Sequence, residues 1–146
     1  MFKHILLATD GSEASRHAAR LATRLAHEHG SRLTAVFVID PYPYLGIGQS
    51  NPLGFQGYMA QAQVQAAQTH AEIEALCRQE AREVNLQLRL AENVTPAAGI
   101  VQTAQQEGAD LVVIGSHGRT GIARLMLGSV AAQVVALSPV PVLVTR

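Results

Sequence analysis

The segment that most constrains how this chain can fold is Asp110-Leu111-Val112-Val113-Ile114, followed at once by Gly115-Ser116-His117-Gly118-Arg119-Thr120-Gly121-Ile122-Ala123-Arg124-Leu125-Met126-Leu127-Gly128-Ser129. The apolar run has no polar alternation, so it predicts a strand buried on both faces, as in a parallel sheet covered by helices. Val130-Ala131-Ala132-Gln133-Val134-Val135-Ala136-Leu137 then predicts a helix. A glycine-rich loop thus joins a strand's carboxyl end to a helix's amino end, where open α/β sheets bind ligands. Glycines there let backbone N–H groups approach a ligand with no Cβ in the way. The helix amino end adds unpaired donors and a positive dipole end, which favour an anion. Ser129 is placed either to cap that helix or to turn its hydroxyl toward the anion, and Arg119 and Arg124 add positive charge. The stretch reads as a phosphate cradle. The alternative is that Gly115, Gly118 and Gly128 serve only as turn residues and a helix break.

The rest of the chain repeats the strand-then-helix order. Residues 4–9 predict a first strand, and Asp10-Gly11-Ser12 a turn in which Ser12 caps a helix with Glu13 in its first turn. Ala14, Ala18, Leu21, Ala22, Leu25 and Ala26 form its apolar face, and Gly30 suits its end. Residues 32–39 predict the second strand. Residues 40–57 hold three prolines and four glycines and predict an irregular loop, either a lid or binding loop or a mobile bystander. A long helix is expected over 58–84, with Met59, Ala66, Ile73, Leu76, Cys77 and Val84 as its core stripe. Leu86, Leu88 and Leu90 alternate with polar residues over 86–92, the pattern of an edge strand. Thr95 and Pro96 open a helix that ends at Glu107-Gly108, with Ile100, Val101 and Ala104 facing inward. Leu137-Ser138-Pro139 stops the last helix, and 140–146 is the fifth strand.

Strands alternating with helices predict a parallel sheet with right-handed crossovers. There is no internal repeat or linker, so residues 1–146 read as a single α/β domain. The expected architecture is an open five-stranded sheet of order 3-2-1-4-5 with helices on both faces. A 48% apolar and 15% charged composition suits a packed globule and argues against disorder. The formal net charge is zero, so neither nucleic acid nor an acidic membrane is an expected partner, and self-repulsion is small. Cys77 is the only cysteine, which removes intrachain disulfides and cysteine metal clusters and fits a reducing compartment. The apolar run near Met1 is too short for a signal h-region or a membrane span, so a cytoplasmic location is expected.

In the expected order the switch point lies between the first and fourth strands. Their carboxyl ends carry Ala8-Thr9-Asp10 and Ile114-Gly115-Ser116-His117-Gly118, and Phe37-Val38-Ile39-Asp40 flanks the same crevice. Phosphates would rest on the Gly118 loop and the helix at Ser129, with ribose and base over the first and second strands. Asp10 caps the first helix, contacts the ligand, or does both; His117 is either a phosphate contact or a solvated loop histidine. The other histidines show no convincing metal-ligand spacing, and no metal site is expected from the protein alone. A P-loop hydrolase would need Gly-Lys-Ser/Thr, and Lys3 is the only lysine. A receiver domain would need an acidic cluster and a late lysine. A flavodoxin or a Rossmann dehydrogenase would place its phosphate loop after the first strand, where Thr9-Asp10-Gly11-Ser12-Glu13 stands instead.

Gly115-x2-Gly118-x9-Gly128-Ser129 resembles the ATP-binding signature of the universal stress protein family. Ile5-Leu6-Leu7-Ala8-Thr9-Asp10-Gly11-Ser12 and Pro139-Val140-Pro141-Val142-Leu143-Val144 are similar to that family's two ends, so the resemblance covers essentially the whole chain. It implies the strand order given above, ATP (or AMP or ADP) as ligand, and a role in stress response. It also implies that Asp10 contacts the nucleoside and that Val38 meets adenine through backbone groups. The expected binding set is Ala8, Thr9, Asp10, Val38, Ile114, Gly115, Ser116, His117, Gly118, Arg119, Gly128, Ser129 and Val130. Asp10 is the one carboxylate assigned to the crevice, so no catalytic residue is expected and hydrolysis should be slow or absent. Mg2+ or Mn2+ would be held through the phosphates. The family pairs its last strand across a two-fold axis, which implies a homodimer through Val140 to Arg146, an apolar edge that a monomer would expose. The competing expectation is a nucleotide-free protein-interaction module of the same fold.

Overall fold

Ile5, Leu6 and Leu7 are consecutive and all fully buried. Neighbouring side chains on a strand point to opposite faces, so this strand must be covered on both. The computed structural model describes residues 1–41, 52–80, 83–117 and 126–146. In chain order it shows β1 (His4–Thr9), α1 (Glu13–His29), β2 (Arg32–Val38), α2 (Pro52–Glu80), β3 (Asn85–Ala91), α3 (Pro96–Glu107), β4 (Leu111–Gly115), α4 (Ser129–Leu137) and β5 (Val142–Thr145). The strands form one sheet of order β3-β2-β1-β4-β5, and every pairing is parallel. Fold class, strand order and the placing of helices on both faces are therefore as expected.

The sheet separates two apolar layers. On one face Ile5, Leu7, Leu33, Ala35, Leu111 and Val113 pack against the alanines of α1 and against Ile73 and Cys77 of α2. On the other, Leu6, Ala8, Val36, Val112 and Ile114 meet Ala97, Ile100 and Ala104 of α3 and Ala131 and Val134 of α4. Helix α1 turns its small residues inward: Ser15, Ala18, Ala19, Ala22, Thr23 and Ala26 are buried, whereas Leu21 and Leu25 lie half-buried beside the stripe. The expected face was rotated toward the larger leucines. Small side chains instead let the helix axis approach the sheet. Among the described residues no helix is long and apolar enough to cross a membrane.

Strands β2, β3 and β4 are each shifted or shortened by one residue from expectation, and three other elements depart in ways that matter to the site and the sheet edge. Helix α2 begins at Pro52, inside the segment expected to be irregular. A proline at a helix's first position forfeits no hydrogen bond. Gly54 and Gly57 cost about 1 kcal/mol each, which a helix anchored by buried Ala66, Ile73 and Cys77 can carry. The remainder of that segment, 42–51, lies outside the described residues. Gly128, not Ser129, occupies the cap position of α4, and Ser129 is its first helical residue. Strand β5 is confined to Val142–Thr145, although the carbonyl of Pro141 already accepts from Val112 N–H at 3.0 Å.

At the amino edge of the sheet, His4 is buried and its ring is held from three sides. Nε2 lies 2.7 Å from Thr34 Oγ1, and Nδ1 lies 2.9 Å from both the Glu107 carbonyl and an Arg32 guanidinium nitrogen. The Asp110 carboxylate accepts from the backbone N–H groups of Lys3 and His4, at 2.9 and 3.1 Å. Burial above all, and then the Arg32 charge, push the His4 pKa down. Burial likewise lowers that of His70. The folded state thus prefers the neutral rings. Above the unfolded histidine pKa of about 6.5 this preference does not alter stability. Below it the unfolded chain binds the proton first, so stability falls as pH drops toward the folded pKa values. Denaturant unfolding should show a lower midpoint at about pH 5.5 than at about pH 7.5, and His4→Gln should flatten part of that slope. A midpoint that rises on acidification would contradict this account.

Candidate functional site

The helices that follow β1 and β4 leave toward opposite faces of the sheet, α1 to one layer and α4 to the other. Two adjacent parallel strands whose connections diverge leave a crevice at their carboxyl ends. Here it is a cavity of about 430 Å³, within the range of small-molecule sites. Ala8, Thr9 and Asp10 line it from β1; Ile114, Gly115, Ser116 and His117 from β4; Gly128, Ser129 and Val130 from the start of α4; and Val38 from β2. These expected residues come from four stretches of chain and share one wall-to-wall space. Gly118, Arg119 and Arg124 lie outside the described residues.

The glycines have a packing reason of their own. A Cβ on Gly115 would stand 2.8 Å from the backbone carbon and 2.9 Å from the oxygen of Ala14, so only glycine lets α1 start this close to β4. A Cβ on Gly128 would stand 2.8 Å from the Ser116 carbonyl oxygen. The Gly128 N–H donates to that same oxygen at 2.7 Å, so the end of β4 and the beginning of α4 are bonded across the loop that separates them in sequence. This close approach aims the amino end of α4 into the cavity.

The two helix starts at the cavity differ. Helix α1 is capped: Ser12 Oγ accepts from Ser15 N–H at 3.2 Å, and Asp10 Oδ1 accepts from Ser12 N–H at 2.9 Å. Asp10 therefore braces the turn while Ser12 does the capping. Ser15 closes the set by donating its hydroxyl to the Ser12 carbonyl, and Thr9 Oγ1 reaches Ser15 Oγ at 3.4 Å. Helix α4 has no side-chain cap. Its first backbone bond inside the helix runs from Ala132 N–H to the Gly128 carbonyl. The N–H groups of Ser129, Val130 and Ala131 precede it, and all three residues line the cavity. Such a terminus carries a partial positive charge suited to an anion. Next to it, Ser116 Oγ and His117 Nδ1 share a hydrogen bond of 2.7 Å.

Two carboxylates, Asp10 and Asp40, line the cavity, so Asp10 is not the single one. No lysine or arginine among the described residues does so. Among the described residues no group of three or more His, Cys, Asp or Glu is placed to hold a metal ion. A second concavity, of about 570 Å³, lies at the opposite edge of the sheet beside Lys3, His4, His27, Arg32 and Glu83. Its central polar groups, His4 and Arg32, are bonded to each other and to the fold. The sequence reading missed Ser15, Ala62, Gln65 and Ile100 in the main cavity. For α2 a signal existed: Tyr58, Ala62 and Gln65 fall on one helix face.

The chain matches the universal stress protein family over residues 1–146. A universal stress protein of Thermus aquaticus, from the QAH/OAS sulfhydrylase 3′ region, is 40% identical over 150 residues, covering 100% of both chains. The universal stress protein UspA from Lactobacillus plantarum superposes with a TM-score of 0.74 at 26% identity, covering 99% of this chain and 97% of that one. A universal stress protein from Archaeoglobus fulgidus, solved in complex with dAMP, superposes with a TM-score of 0.71 at 20% identity, covering 100% and 98%. Match, identity and superposition agree over the full length: the chain belongs to the universal stress protein family.

Proposed function

We propose that the main cavity holds an adenine nucleotide, ATP in its fullest form, with phosphates at the amino end of α4 and nucleoside over the ends of β1 and β2. The observation that carries this is the uncapped start of α4 opening into a cavity of nucleotide scale, with the Ser116–His117 pair beside it. The dAMP complex of the Archaeoglobus fulgidus relative supports the same ligand class. In this reading Ser129 and His117 contact phosphate, Asp10 the ribose and the Val38 backbone the base; all four residues line the cavity. Mg2+ or Mn2+ would come with the phosphates. Titration of ATP should show saturable binding. Ser129→Ala should weaken it about tenfold, the loss of one charge-assisted bond, and Asp10→Ala should weaken ATP while sparing inorganic tripolyphosphate. Unchanged ATP affinity in both variants would remove the nucleotide from this cavity.

The same reading makes the protein a nucleotide holder that acts in stress response rather than a fast enzyme. Among the described residues neither Asp10 nor Asp40 belongs to a group that could cage a metal, and hydrolysis needs an oriented water and charge neutralisation together. Turnover of ATP should stay below about 1 per second, the low end of ordinary enzymes. A phosphate-release assay above that rate would overturn this. The setting proposed is the cytoplasm, to which a lone buried thiol, Cys77, is suited.

We further propose a homodimer through β5, the strand at one end of the sheet order. The carbonyls of Pro141 and Thr145 accept from β4, so in a parallel pair the backbone groups of Val142 and Val144 face the outer edge. Pro141 faces β4 and takes no donor from that edge. Leu143 of this strand is exposed on the face of the sheet away from α4, and Val135 and Leu137 are exposed on α4 itself. Val142 and Val144 pack their side chains on the α3/α4 layer, so charging them would damage the fold. Val144→Pro removes an outward donor instead. Sedimentation should give a dimer at micromolar concentration for the unaltered protein and a monomer for Val144→Pro; a monomeric unaltered protein would end the proposal.

A further inference from the structure

The cavity reaches beyond the ends of β1 and β2 to a wall made by α2. Tyr58, Ala62 and Gln65 stand at spacings of four and three, share one helix face, and all line the cavity. The wall is fixed in place. The Tyr58 hydroxyl donates to the Asp40 carbonyl at 2.8 Å, and Tyr58, Met59 and Ala62 pack around buried Phe37 and Ile39 at the end of β2. Ala62 is a single methyl group between two long side chains on that face, so the wall steps back between Tyr58 and Gln65. Gln65 stands at the far side of the recess, half-buried. This is the end of the cavity remote from α4, where the nucleotide reading above, on which this inference rests, puts the base.

A glutamine amide offers a donor and an acceptor side by side. Adenine presents the complementary pair, an amino donor next to a ring-nitrogen acceptor, whereas guanine presents two acceptors on the equivalent edge and asks for two donors. Of the other polar side chains at this end, the Tyr58 hydroxyl donates to the Asp40 carbonyl, and the Asp40 carboxylate only accepts, which would suit guanine's donor edge, but Asp40 is exposed at the rim. Water competes there for each of its bonds, so the half-buried amide discriminates more strongly.

We propose that Gln65 sets the base specificity of the site, reading the donor–acceptor edge of adenine in the recess at Ala62 and selecting it over guanine. Calorimetric titrations of ATP, GTP and inorganic tripolyphosphate into the unaltered protein and into Gln65→Leu, Gln65→Arg and Asp40→Asn test this. Leu and Arg are both good helix formers, so α2 should persist. The unaltered protein should prefer ATP over GTP by roughly tenfold or more. Gln65→Leu should lose most of that preference with tripolyphosphate affinity unchanged, Gln65→Arg should shift it toward GTP, and Asp40→Asn should leave it in place. A preference kept in Gln65→Leu, or one lost in Asp40→Asn instead, overturns the assignment while nucleotide binding stands. If neither ATP nor tripolyphosphate binds the unaltered protein, the nucleotide reading falls and this inference with it.

Discussion

The fold depends on how closely backbone can approach backbone at the carboxyl ends of β1 and β4. At Gly115 there is room for a hydrogen and no more before the chain of Ala14 is met. At Gly128 the limit is the Ser116 carbonyl, which the Gly128 N–H also bonds. The first contact seats α1 on the sheet and the second seats α4. With both helices seated, the crevice between them has fixed walls, and the donors at the start of α4 have a fixed direction. A larger residue at either position would move a helix before it touched a ligand. Gly115 and Gly128, which read as phosphate-facing in the sequence, are thus required by the protein's own packing, and any ligand role is added to that requirement.

The two edges of the sheet are chemically distinct. Parallel strands put all their carboxyl ends on one side, so the cavity with Thr9, Asp10, Ser116 and His117 is there. The amino ends gather His4, Arg32, Thr34 and Asp110 into a bonded cluster that ties β1 to β2, α3 and β4. One edge lines a cavity with its polar groups, and the other uses them to tie separate elements together. Burial and the Arg32 charge lower the pKa of His4, so acid weakens the fold through a histidine about six residues, or roughly 20 Å of strand, from the site.

Much of this was legible in the residues. Apolar runs without alternation marked β1, β2 and β4, and their regular separation by helical patterns fixed a parallel sheet. The short alternation of Leu86, Leu88 and Leu90 marked β3 as an edge, and β3 is one. Turn chemistry located the crevice, because crevices in such sheets follow from where strands end. The start of α2 was not legible. Pro52, Gly54 and Gly57 argue locally against a helix, and only the distant anchors Ala66, Ile73 and Cys77 reverse that preference. The inward face of α1 was misjudged for a related reason. Hydrophobicity favours Leu21 and Leu25, whereas close approach favours Ser15, Ala19 and Thr23. The α2 wall was missed although Tyr58, Ala62 and Gln65 share one helix face, because nothing local in the sequence says that this face turns toward the ends of β1 and β2.

The cavity is assembled from residues 8–10, 38–40, 58–65, 114–117 and 128–131, which span most of the chain. These groups come together only when the sheet and its helices have formed, so the unfolded chain has nothing equivalent to offer. A molecule that fills this space therefore binds the native state alone, and its concentration is converted into conformational stability. A ligand at a hundred times its dissociation constant adds about 2.7 kcal/mol, a substantial share of a small domain's margin. The persistence of the folded protein is thereby coupled to the supply of whatever the cavity holds, with no chemical step and no change of shape required.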